Sequence, residues 1–176
     1  PDQYIDYMSW YKFFKKSSFV NTIFTDYKLF ILMVGKGQRM KKISSSYKEF
    51  IKLHNKELYL HVVDNMQSID TNLITTKKKS KFIKTDFKKT FINQTNSMFD
   101  TIFATRKILK KYNSYFISSA DCYGFYNEIV LRNLLDVHQP DLVLFTFNLS
   151  LLQKKLSSNH TLVKNNNNLC NKIYIN

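Results

Sequence analysis

Lysine ammonium groups and aromatic rings alternate between residues 76 and 92, TKKKSKFIKTDFKKTFI, and that combination could grip a polyanion. Lys77, Lys78, Lys79, Lys81, Lys84, Lys88 and Lys89 stand against one acid, Asp86, with Phe82, Ile83, Phe87, Phe91 and Ile92 between them. A lysine that neutralises a phosphate releases condensed counterions, and an aromatic face can stack on a base. A run of like charge is also what a solvated loop looks like, because its charges repel and it has little to bury. The interleaved rings favour an arm that binds RNA, DNA or an anionic surface.

Other chemistry finds few carriers. His54, His61, His138 and His160 are scattered and read as packing or surface residues. Paired carboxylates at motif spacing, HExxH and nucleophile motifs are all missing, so the chain is expected not to be an enzyme and to need no cofactor or small-molecule substrate. Cys122 and Cys170 lie far apart with no CxxC or Cys/His ligand spacing; a buried thiol and a tail thiol are expected, and no metal site. Gly35-Lys36-Gly37 lacks the GxxxxGK[ST] form of a phosphate loop and reads as a helix-ending turn.

The whole chain repeats the bias of the arm. Its 176 residues suit one domain with a core, and 44% hydrophobic and 15% aromatic residues exclude disorder throughout. A net charge of +14 implies a negative partner without fixing a fold. Only two alanines, three glycines and two prolines occur, and three arginines against twenty-four lysines. The scarce residues need G/C-rich codons, which points to an A/T-rich genome such as an organelle's. The start of the given sequence does not read as a secretory or Arg-rich leader, so none is expected, and no stretch reads as a clean membrane span, since Asp26 and Lys28 break residues 19–34. A mitochondrial, organelle-encoded protein made where it is used is the expectation.

The elements that would position the arm read mainly as helices. Ile23, Tyr27, Phe30, Ile31 and Val34 share one side of a helix over 19–34. Met40, Ile43, Tyr47, Phe50, Ile51 and His54 form a clearer stripe, with Lys41, Lys42, Lys48, Glu49 and Lys52 off it. Residues 57–66 repeat the pattern with Tyr59, Val62, Val63 and Met66. In 96–112, Met98, Ile102, Thr105, Leu109 and Tyr112 make one face, flanked by Phe99 and Phe103. Arg106, Lys107, Lys110 and Lys111 lie on or beside the other face and could extend the basic footprint. Residues 118–137 open with a capping-box pattern, Ser118 and Asp121. After Pro140, residues 141–156 fit a helix or a strand, and 157–176 is a low-complexity tail, mobile unless a partner orders it. The expected architecture is mainly α: a single helical domain of about five to six helices over 1–156, with a protruding basic β-ribbon arm at 71–92.

This order resembles the universal small-subunit ribosomal protein seven family, particularly its mitochondrial, organelle-encoded members. LMVGKGQRMKKISSSYKEF, LHVVDNMQSI, TIFATRKIL and DCYGFYNEIVLRNLLD are similar, in order, to stretches of that family. The chain departs from the pattern in lacking a Gly-Gly turn and a Val-Pro in the ribbon. LVLFTFNLSLL replaces a basic final helix, and the Gly-Lys turn has an extra residue.

The resemblance implies a structural constituent of the mitochondrial small ribosomal subunit that binds its rRNA and supports head assembly and translation. Neighbouring ribosomal proteins would be partners, with exit-site tRNA or mRNA nearby. Carried over by position, Lys36, Gln38, Arg39, Lys41, Lys42, the arm lysines and Arg106 would contact rRNA. The alternatives are a non-catalytic subunit of another organellar complex, or a different ribosomal protein of α/β type if PDLVLFTFN is a buried parallel strand.

Overall fold

The computed structural model describes residues 27–37, 46–66, 69–122, 128–145, 162–166 and 169–174. The chain divides into two compact units, Pro1–Asn133 and Leu134–Asn176. In the first, four parallel strands build one sheet: β1 (Lys28–Leu32), β4 (Asp70–Thr75), β5 (Lys88–Phe91) and β6 (Tyr115–Ser119), in the order β5-β4-β1-β6. The mainly α architecture expected from the sequence is therefore corrected to α/β.

The strands form where the chain is apolar without a break. KLFIL is buried along its whole length in β1, and β4 is buried from Thr71 to Thr75. Central parallel strands are covered on both faces and so lose the alternation that marks a half-exposed strand. Phe30, Leu32 and Val34 share a core with Ile74 and Leu109, against which Ile102, Ile108, Tyr112 and Ile117 pack. Leu29, Ile31, Met33 and Leu73, at the alternate positions, are also fully buried. Lys28 opens β1 and pairs with Asp70, its register partner at the start of β4.

Between β1 and β4 lie a 3-10 turn at Lys48–Phe50, a small hairpin and a helix. The hairpin joins β2 (Lys52–Leu53) to β3 (Lys56–Glu57) through His54 and Asn55, both left-handed at φ 49° and 64°. Two left-handed central residues are what a tight hairpin of twisted strands requires. The helix expected over 40–54 is thus replaced by turn and hairpin from residue 46 onward, and residues 40–45 lie outside the described residues. Helix α1 (Leu58–Asn65) is present where the pattern of 57–66 placed it, with Tyr59, His61 and Val62 buried.

No ribbon occupies 71–92. Its first strand is β4 in the sheet centre, its last is β5 at the edge, and the two run parallel. Parallel neighbours need a crossover of about a dozen residues. Residues 76–87 supply it, starting with the short helix α2 (Lys77–Ser80).

Helix α3 (Met98–Leu109) then returns the chain to β6. Its capping box is Ser97 with Asp100: Ser97 Oγ accepts from the Asp100 N–H at 3.0 Å, and Asp100 Oδ2 accepts from the Ser97 N–H at 3.1 Å. The box expected at Ser118 and Asp121 does not form. Ser118 ends in β6, and its hydroxyl donates to the Ser119 and Cys122 carbonyls. Cys122 is exposed rather than buried. Helix α4 spans Glu128–His138. Residues 19–26 of the expected first helix and residues 146–156 fall outside the described residues, as does the N-terminal aromatic segment.

In the second unit, β7 (Leu162–Asn166) and β8 (Leu169–Tyr174) pair antiparallel, with an irregularity between Lys164 and Asn165. Within the expected low-complexity tail, residues 162–166 and 169–174 pair as strands, and its other residues lie outside the described ones.

Candidate functional site

Every strand of a parallel sheet releases its loop at the same edge, so the carboxyl edge gathers residues distant in sequence. Here the loop after β1 brings Lys36, the start of α2 brings Thr76, Lys77 and Lys78, and the end of β5 brings Phe91, Ile92, Asn93 and Gln94. Tyr47, just before the 3-10 turn, adds a fourth wall, and together they enclose an open cleft of about 650 Å³. The ladders continue past the strands to hold these loops: the Met33 N–H donates to the Ile74 carbonyl at 2.8 Å, and the Ile92 N–H to the Thr75 carbonyl at 3.0 Å.

Lys79 forms the floor, and its chemistry differs from that of its neighbours. Its side chain is 4% exposed, and its ammonium donates to the Met33 carbonyl at 2.9 Å, the Gly35 carbonyl at 2.6 Å and Glu49 Oε1 at 2.5 Å. An ammonium has three protons, and all three are used. The Tyr47 ring lies 4.9 Å from the same nitrogen. Lys79 therefore ties α2, the loop after β1 and the 3-10 turn together, and has no proton left for a phosphate. Gly37 helps to close the same loop, with a left-handed φ of 59° that suits glycine.

Lys77, Lys78, Lys81, Lys84 and Lys88 are exposed and make no ion pair among the described residues. Lys36 is exposed and donates to Asn96 Oδ1 at 3.1 Å. Lys89 is half-buried and donates to the Thr85 carbonyl at 3.0 Å.

On α3, Arg106, Lys107, Lys110 and Lys111 are exposed at or beyond the helix's C-terminal turn. Arg106 folds back on Phe103, its guanidinium 4.1 Å from the ring, and donates to the Phe103 carbonyl at 2.8 Å. Because α3 leads from the carboxyl end of β5 to the amino end of β6, this second basic cluster lies toward the opposite edge of the sheet. The fold thus separates Lys36, Lys77 and Lys78 at the carboxyl edge from the helix cations, whereas Lys88 opens β5 at the amino end. Gln38, Arg39, Lys41 and Lys42 lie outside the described residues.

Several wall residues were not legible as such. Tyr47 belonged to a core stripe, and Asn93 and Gln94 carried no pattern. Glu49 sat among surface lysines in the helical reading, yet it is 3% exposed. Among the described lining residues there is no acid, histidine or cysteine. No group of three or more potential metal ligands occurs among the described residues, and none of their helices is long and apolar enough to cross a membrane. No family model and no curated protein matches the chain.

Proposed function

We propose that this chain is a non-catalytic RNA-binding protein, a structural constituent of the small ribosomal subunit of a mitochondrion, built on an α/β scaffold. The observation that carries the reading is the set of cations on the crossover from β4 to β5: Lys77 and Lys78 at the carboxyl edge, and Lys81, Lys84 and Lys88 on the way to the amino end of β5, are exposed and make no ion pair among the described residues, with Asp86 the one acid among them. A cluster of surface lysines free of ion pairs is an electrostatic footprint for phosphates. The cleft wall combines the exposed cations Lys36, Lys77 and Lys78 with the Phe91 ring and the Asn93 and Gln94 amides, groups suited to holding a polyanion.

The α/β scaffold departs from the helical family that the sequence resembles, but its strands are β1, β4, β5 and β6; the described part of PDLVLFTFN, residues 140–145, forms no strand and leaves Leu142 and Phe145 exposed. Small-subunit rRNA and neighbouring ribosomal proteins remain the proposed partners. A position near exit-site tRNA or mRNA depended on the helical scaffold and is left aside.

Co-sedimentation tests the reading directly. The tagged protein should travel with small ribosomal subunits on a gradient and leave them as salt is raised. Migration with a membrane complex, or as free protein with no affinity for rRNA fragments, overturns the proposal.

A further inference from the structure

The cleft has features that plain phosphate contact does not need. Phe91, the last residue of the edge strand β5, is 49% exposed at the cleft wall. The ladder bond from the Ile92 N–H to the Thr75 carbonyl fixes the backbone beside it, so the ring is presented on a rigid element. Asn93 and Gln94 follow at once, and each amide offers both donors and an acceptor. Lys36, Lys77 and Lys78 stand on the remaining walls. A volume of about 650 Å³ falls within the range of sites that take small organic groups.

Paired bases in an A-form helix hide their faces in the stack, and their deep groove admits no side chain. Only an unpaired base can offer a face to Phe91 and an edge to two amides. Building on the RNA-binding reading above, we infer that the cleft captures one unpaired nucleotide of single-stranded RNA. Its base stacks on Phe91, Asn93 and Gln94 meet its edge, and Lys36, Lys77 and Lys78 hold the flanking phosphates.

The test uses the full chain with a single-stranded RNA oligomer carrying a fluorescent adenine analogue, and the same sequence as a duplex. Binding should quench the analogue in the single strand alone. Phe91→Ala should weaken single-strand binding by about five- to 150-fold, the usual range for one lost base–aromatic stack, with the salt slope unchanged. Phe91→Trp should restore binding and quenching. Lys77→Gln should instead lower the salt slope by about 0.7 and keep the quenching. Asn93→Ala with Gln94→Ala, changes at two exposed positions, should reproduce the selective loss on single strands without touching the sheet.

Equal effects of the Phe91 and amide variants on single strand and duplex, or none on either, overturn the cleft inference. The RNA-binding reading then still stands if Lys77→Gln changes the slope. An intact chain that binds no RNA removes both. Adenosine monophosphate competing as well as the oligomer, mole for mole, would assign the cleft to a free nucleotide and overturn the strand assignment.

Discussion

Lys79 and Lys78 are adjacent, carry the same charge and do different jobs. Lys78 is exposed and unpaired, whereas Lys79 is buried against Glu49 and two carbonyls. The difference comes from contacts 30 to 46 residues away in sequence, which no local pattern encodes. Breaking a buried ion pair from one side leaves the other charge unpaired, and such losses run to about 3–5 kcal/mol. Glu49→Ala should therefore lower the unfolding free energy by about that much in a denaturant titration. Glu49→Leu combined with Lys79→Met should recover most of the loss, because a buried pair is often replaceable by apolar groups of similar volume. Lys78→Gln should move stability by less than about 0.5 kcal/mol. Equal costs for Glu49→Ala and Lys78→Gln would refute the assignment of Lys79 to the scaffold. A second residue-scale effect concerns Tyr59, whose phenol is pushed above its usual value of 10.0 chiefly by burial, with Glu57 adding to the rise. A raised phenol pKa means the neutral form is favoured in the fold. That stabilisation is complete below pH 10.0 and is lost as the pH climbs through the higher folded value. Tyr59→Phe should remove this component of alkaline destabilisation, seen as a flatter stability profile above about pH 10.

At the scale of elements, the legible pieces are those with one face wetter than the other. Helices α1 and α3 were readable because Tyr59 and Val62, or Thr105 and Leu109, recur at helical spacing, beside half-buried positions in α1 and exposed polar ones in α3. The central strands had no such contrast. KLFIL fits a helical stripe as well as a strand, and burial on both faces removes the alternation that would decide between them. Residues 71–92 suggested a ribbon because two strand-like runs flank a polar stretch. Only the sheet, through β1 beside β4, dictates that they run parallel. The two candidate capping boxes show the same limit. Ser118-x-x-Asp121 and Ser97-x-x-Asp100 have the same spacing, but Ser118 is held in register with Ile31 as a strand residue. The functional box can be checked: Ser97→Ala should cost about 0.5–2 kcal/mol, and Ser118→Ala should leave helix content unchanged. Equal loss of helical circular dichroism in both variants would count against this assignment.

At the scale of the molecule, the described cations of the first unit fall at both edges of one sheet rather than along one arm. The candidate site was half legible for this reason. Lysine content identified Lys77, Lys78, Lys81, Lys84 and Lys88, but the joining of Lys36 to Lys77 and Lys78, and the parting of Arg106 to Lys111 from these three, are consequences of topology. Two separated basic clusters have a measurable signature. For duplex-like sites, each phosphate contact contributes about 0.9 to the slope of log affinity against log salt. Replacing Lys36, Lys77 and Lys78 with Gln removes up to three contacts, so the slope should flatten by as much as about 2.7. Replacing Arg106, Lys107, Lys110 and Lys111 with Gln should flatten it separately. Distant sites with no shared partners act additively within about 0.3–0.5 kcal/mol, so the combined variant should show the sum of the two losses on a long rRNA fragment. On a fragment too short to span the sheet, each RNA molecule can engage one edge at a time. Either set alone should then leave half of the binding sites intact, and the stoichiometry should fall from two to one. A short fragment that binds once to the intact chain, and is lost with the first set alone, would mean that the α3 cluster is a solvated helix face. The carboxyl edge would then be the sole RNA contact among the described residues.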